Sequence, residues 1–225
     1  IPFFGPDASE PPGIVIFADS KPRRMGGLKK STQKALLWST VDKGGQLLLS
    51  TLISIITARL LMPEAFGLIA PLMIFTAIAN ILSEGGLAVA LIRKTDADER
   101  DYNTMFWFNL VFSLFFYIVL FFAAPFIANF YHQPDLTLIA RVQFLTGVIF
   151  IFGMIHSTRL VKRADVRRLA VSNIVPVLLG GLTAIILALL GFGVWALVAQ
   201  KLVETSSRTL IVWIAAHWRP SFVFS

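Results

Sequence analysis

From Met25 onward the chain is a series of long apolar runs separated by short polar breaks. Six runs stand out, near Ala35–Thr57, Phe66–Ile92, Thr104–Phe130, Leu136–His156, Leu169–Leu190 and Val194–Ala216. Each approaches the roughly 20 residues that a helix needs to cross about 30 Å of hydrocarbon. The breaks are Met62-Pro63-Glu64, the charged segment Arg93 to Asp101, the turn His132-Gln133-Pro134-Asp135 and the hairpin Gly191-Phe192-Gly193. This pattern predicts an all-α membrane protein, with a six-transmembrane-helix bundle over residues 35–219 and residues 25–34 as a cytoplasmic N-terminus.

Polar positions inside the runs are not scattered. Lys43, Gln46, Ser50, Ser54 and Thr57 recur at steps of three or four in the first run, which places them on one helical face. Thr76, Asn80 and Glu84 do the same in the second run, and Asn109, Ser113 and Tyr117 in the third. In the sixth, Lys201, Glu204 and Arg208 share a face flanked by Gln200 and Thr205. A charge facing lipid at mid-depth costs roughly 2.5–3.5 kcal/mol on insertion scales. Stripes on several helices are best accommodated by converging on a shared interior. For a single serine or threonine, a bond to its own helix backbone is the simpler account. Lys201–Glu204 can likewise be neutralised as a local pair. Taken together, Lys43, Arg59, Glu84, Lys201 and Arg208 point to a wet, net-cationic cavity. Such a cavity suits an anionic cargo such as a phosphate or pyrophosphate head group.

Residues 1–24 differ from the rest. They carry Pro2, Pro6, Pro11, Pro12 and Pro22 around an apolar patch, Ile14 to Ala18, too short for a signal-peptide core. They read as a disordered leader or upstream translation ahead of Met25. Gly44-Gly45, Gly85-Gly86 and Gly180-Gly181 interrupt three runs, and Pro71, Pro125 and Pro176 also lie inside runs. The glycines permit close helix approach or flexing during alternating access, and the prolines permit kinks.

Composition sharpens this picture. Of 225 residues 56% are hydrophobic and only 15% charged, with mean hydropathy +0.74, where a soluble chain is about one quarter charged. The net charge of +7 sits in the short connections rather than on a patch, so it fits an anionic membrane face and not nucleic acid. Lys29, Lys30, Lys34, Arg93, Lys94, Arg100, Arg159, Lys162, Arg163, Arg167, Arg168 and Arg219 all fall on one side of the predicted topology, with only Arg59 and Arg141 on the other. The positive-inside rule then places both termini in the cytoplasm. The absence of cysteine excludes structural disulfides and thiolate chemistry. His132, His156 and His217 lack metal-ligand spacing and read as interfacial residues. Asp96, Asp98, Glu99 and Asp101, interleaved with Arg93, Lys94 and Arg100, read as a solvated connection. No phosphate-binding glycine loop or nucleophile elbow is found, so neither an enzyme nor a bound cofactor or metal is expected.

Four segments carry a family resemblance: Ala58-Arg59-Leu60-Leu61-Met62-Pro63-Glu64-Ala65-Phe66-Gly67-Leu68-Ile69, Glu84-Gly85-Gly86-Leu87-Ala88-Val89-Ala90-Leu91-Ile92, Asn103-Thr104-Met105-Phe106-Trp107-Phe108-Asn109 and Gly191-Phe192-Gly193-Val194-Trp195-Ala196-Leu197-Val198. In order and spacing they resemble bacterial polysaccharide-export flippases of the Wzx type, in the multidrug/oligosaccharidyl-lipid/polysaccharide exporter superfamily. The resemblance runs from about Lys29 to Phe224. It implies a carrier in the bacterial inner membrane that moves an undecaprenyl-pyrophosphate-linked glycan outward for exopolysaccharide or lipopolysaccharide biosynthesis. It also implies two lobes around a cationic cavity, and H+ or Na+ gradient coupling. Lys43, Arg59, Arg141, Lys201 and Arg208 would then hold the pyrophosphate, and Glu84 and Glu204 would couple ions or balance charge. The chain resembles the N-terminal lobe only, so residues 220–225 would open a C-terminal part. A second six-helix lobe or a second copy, and other polysaccharide assembly proteins, are the implied partners. Two other readings are a drug/cation antiporter of the same superfamily, expected to have a net-acidic cavity, and a membrane-embedded polymerase or glycosyltransferase, expected to have long outer loops. A non-transporting subunit is a third.

Overall fold

The computed structural model describes residues 25–84, 91–94, 98–163 and 165–221. Among them the regular structure is helical: α1 (Met25–Leu60), α2 (Pro63–Glu84), α3 (Glu99–Phe130), α4 (Leu136–Lys162), α5 (Val166–Leu189) and α6 (Val194–Ala216). The apolar runs locate every helix. α6 begins and ends where the sequence places it, whereas α3 and α4 extend beyond their apolar runs at one end, to Glu99 and Lys162. Those extra turns are polar and escape a hydropathy reading, but they are capped. Asp98 accepts from the backbone N–H groups of Arg100 and Asp101, and Asp101 reaches back to the Asp98 amide, a reciprocal capping box. Asp165 caps α5 through the Arg168 amide. The α5–α6 turn needs glycine, since Gly191 and Gly193 have φ of +82° and +55°. α1 starts at Met25, so the backbone of residues 25–34 is helical. Residues 1–24, Gly85-Gly86 and 222–225 lie outside the described residues.

The helices pack side by side in the order α1, α5, α6, α4, α3, and α2 lies against α3, α4 and α6. The main core fills the space between α2, α3, α4 and α6 with Leu72, Ala124, Ala128, Ile139, Ala140, Phe144 and Val198. Glycine sets the two seams around α5. A Cβ on Gly180 would stand 2.8 Å from the backbone oxygen of Gln200 on α6, and one on Gly181 would collide with Ile53 of α1. In lipid, where apolar side chains gain little by leaving the solvent, such close backbone approach is what holds helices together. Close packing thus accounts for Gly180-Gly181.

The surface is apolar where a soluble protein would be wet. Phe122 and Phe126 on α3, and Leu182, Ile186 and Leu189 on α5, point outward, with Phe126 76% exposed. α3, α4 and α5 are long and apolar enough to cross a membrane, and α2 is apolar over Pro63–Ile78. α1 and α6 have lower mean hydropathy because of their internal charges, among them Asp42 and Lys43 in α1 and Lys201, Glu204 and Arg208 in α6.

The ends alternate as the charge pattern predicts. At one end Lys162 of α4 donates to the carbonyl oxygens of Lys94 and Leu91, at 2.7 and 3.4 Å. There too Arg168 of α5 donates to Ala215 of α6 at 2.8 Å. At the other end the α1–α2 and α5–α6 turns share one cluster, Leu61, Ala65, Ala188 and Ala196.

Candidate substrate-facing residues

The α1 stripe straddles the edge of the α1–α5 contact. Thr57 is buried and donates to the Ile53 carbonyl at 2.8 Å, while Lys43, Ser50 and Ser54 are exposed. A carboxylate outside the polar stripe lies beside them. Asp42 is buried, accepts from Gln46 at 2.6 Å, and accepts from Asn173 of α5 at 3.2 and 3.3 Å. Adjacent residues on a helix differ by about 100° in direction, so Asp42 turns into the bundle while Lys43 turns away from it. The sequence signal for this pair is the Asp42/Gln46 spacing of four, one position off the stripe that begins at Lys43.

The α6 residues are placed separately. Lys201 and Glu204 form the expected local pair at 3.4 Å. Arg208 lines a pocket of about 170 Å³ between α4 and α6 with Phe150, Ser157, Thr158 and Thr209, and its guanidinium lies 5.9 Å from the Phe150 ring centre. None of Lys43, Arg59, Arg141 or Lys201 lines that pocket. Arg59 is exposed in the last turn of α1, where it complements the helix dipole. Glu84 ends α2, and its side chain lies outside the described residues, as does that of Asn80.

Arg141 has a structural task. Its Nε donates to the Phe121 carbonyl of α3 at 3.4 Å, and its guanidinium lies 4.1 Å from the Phe121 ring centre. The amide that would ordinarily serve Phe121 belongs to position 125, which is proline and has no N–H. Arg141 replaces that donor. The α3 stripe is also internal. Asn109 and Ser113 are buried, and Asn109 donates to the Met154 sulfur of α4 at 3.7 Å. It lies in the α3–α4 interface instead of opening on a shared cavity, because α4 packs along that face of α3.

The basic end is tightly organised. Arg159 is buried and makes a bidentate pair with Glu99 at 2.7 and 2.8 Å. It also lies 4.7 and 5.3 Å from the ring centres of Tyr102 and Trp218. Trp218 donates to Glu99 at 2.7 Å, Ser221 donates its amide to Asn103 at 2.7 Å, and Trp107 donates to the Ser221 carbonyl at 3.2 Å. Residues 218–221 are thereby strapped across α3 and α4. His156, expected at the interface, is instead fully buried. It stacks on Trp213 at 4.4 Å, and its ring nitrogens lie 3.1 and 3.2 Å from the Phe152 and Trp218 carbonyl oxygens. Glu99 and Asp101 are likewise not free in solvent, since Asp101 pairs with Lys94 at 2.6 Å. Most of these partners lie more than fifty residues apart in the chain, and no local spacing announces them. Among the described residues no group of three or more His, Asp or Glu side chains is placed to hold a metal ion.

An outward apolar surface, capped and paired charges at the helix ends, and a few charges kept within the helices define a multi-helix integral membrane protein. Residues 56–225 match the polysaccharide biosynthesis protein family, and the chain belongs to it. Among its relatives, the succinoglycan biosynthesis transport protein ExoT of Rhizobium meliloti is 30% identical over 196 residues, 87% of this chain and 40% of that protein. The teichuronic acid biosynthesis protein TuaB of Bacillus subtilis is 28% identical over 152 residues, 66% of this chain and 31% of that protein. The lipopolysaccharide biosynthesis protein WzxC of Escherichia coli is 21% identical over 200 residues, 88% of this chain and 41% of that protein. These matches bear out the resemblance to Wzx-type polysaccharide exporters. The chain spans about two fifths or less of the length of these relatives. No solved structure matches it.

Proposed function

We propose that this chain is part of a carrier that moves undecaprenyl-pyrophosphate-linked oligosaccharide across the bacterial inner membrane, with the arginine-rich end of the bundle in the cytoplasm. The observation that carries the reading is the uncovered α1 stripe. Lys43, Ser50 and Ser54 are exposed on a helix that this bundle packs chiefly through α5. A lysine on such a face is costly in lipid unless something hydrated or anionic meets it. A second lobe or copy facing α1 would enclose the stripe, and a diphosphate would satisfy it. The printed names of the relatives, for succinoglycan, teichuronic acid and lipopolysaccharide, support a glycan as the rest of the cargo. Glu204, already paired with Lys201, balances charge. Catalysis has no part in this reading.

The test is complementation of a flippase-null strain by the full-length parent protein carrying Lys43→Ala or Arg208→Ala. Each is expected to cut surface polysaccharide about tenfold, the effect of losing roughly 1.4 kcal/mol of cargo binding. Undiminished polysaccharide in both strains removes the cationic-cavity assignment.

A further inference from the structure

At the end of the bundle opposite the arginine strap, a pocket of about 350 Å³ opens between the first turns of α2 and the α3–α4 turn. Glu64, Gly67, Pro71, Tyr131 and Gln133 wall it, and Leu68 and Leu136 join it to the main core. Three features of these walls converge on one chemistry. Pro71 lies inside α2 and has no amide hydrogen, so the Gly67 carbonyl loses its helical donor. Gly67 has no side chain, so it presents backbone to the pocket, and a Cβ there would meet nothing within 4 Å. Glu64, Gln133 and Tyr131, all exposed, line the same pocket and offer it a carboxylate, an amide and a ring with its hydroxyl.

Acceptors in excess beside an aromatic ring suit a polyol. The hydroxyls of a pyranose donate to the Gly67 carbonyl and the Glu64 carboxylate, Gln133 bridges neighbouring hydroxyls, and the C–H face of the sugar packs on Tyr131. An anionic ligand is disfavoured by the carboxylate and the orphaned carbonyl. A lone cation is a poor match for a space that would hold roughly ten waters at about 30 Å³ each. The volume instead falls within the ~300–1,000 Å³ of small-molecule sites. We infer that this pocket is a sugar subsite for a neutral hexose unit. The inference rests on the glycan-carrier reading and gives the glycan a foothold at the outer rim, at the opposite end from the basic loops.

The test is saturation-transfer NMR on the full chain in lipid nanodiscs, using methyl α-glucoside, galactoside and mannoside as probes. At least one probe is expected to receive saturation, and Glu64→Gln, Tyr131→Ala and Gly67→Val each bring it down to the level of empty nanodiscs. Gly67→Val adds bulk at the pocket wall, with its Cβ meeting nothing within 4 Å. Pro71→Ala is the sharpest variant. It restores an amide to the Gly67 carbonyl and improves the helix, so thermal stability rises while the sugar signal falls. A merely structural role would move both the same way. Asp165→Asn, at the far end, leaves the signal unchanged. Absence of transfer to every probe overturns the subsite, as does transfer that survives both Gly67→Val and Pro71→Ala. Because complementation reads the carrier separately, a silent pocket in a functioning carrier defeats this inference alone.

Discussion

At the residue scale, the same side-chain type does different work depending on what its neighbours lack. Arg141 and Arg208 are both arginines in apolar helices, yet Arg141 is committed to a carbonyl that Pro125 leaves without a partner, while Arg208 lines a pocket. A structural role for Arg141 has a specific signature. Arg141→Met should cost about 1–3 kcal/mol, the range for orphaning an acceptor in a protein interior. Adding Pro125→Ala supplies an amide to the Phe121 carbonyl and should recover most of that loss. Thermal unfolding in detergent across the two single variants and the double variant checks this. A double variant no more stable than Arg141→Met would show that the carbonyl is not what Arg141 serves.

At the element scale, the seams around α5 depend on the absence of a methyl group. Gly180→Ala places a carbon against the backbone of Gln200, which cannot rotate away. Overpacking of this kind costs about 1–3 kcal/mol. Gly44, in the Lys43-Gly44-Gly45 step of α1, has nothing within 4 Å of its missing Cβ. Gly44→Ala should therefore be neutral or stabilising, by up to about 1 kcal/mol of helix propensity. Parallel melting curves in one detergent compare the two. Equal shifts would mean that α5 does not pack on α6 as closely as described.

At the scale of the whole molecule, helix ends alternate and basic residues gather at one of them. Arg167, at the basic end, and Phe192, in the α5–α6 turn, are both exposed. Because the chain has no cysteine, Arg167→Cys and Phe192→Cys each introduce a unique thiol. An impermeant maleimide applied to intact cells should label position 192 and reach position 167 only after permeabilisation. The reverse order would invert the topology. It would also move the sugar pocket to the cytoplasmic side.

Apolar run length, glycine turns and the bias of lysine and arginine are local or additive properties, so the amino-acid sequence by itself determined the helical class, nearly all helix positions and the alternation of the ends. Helical spacing also identified the polar stripes and the Lys201–Glu204 pair. Periodicity alone could not decide which neighbour each stripe meets, because that depends on which helices pack together. Only the tertiary structure turned Asn109 onto α4 and buried Ser113, buried Asp42 against Asn173, and joined Glu99 to Arg159 and His156 to Trp218 across sixty or more residues. It also brought Gly67, Tyr131 and Gln133 to one pocket, for the same reason: a pocket exists only where separate segments of the chain come together.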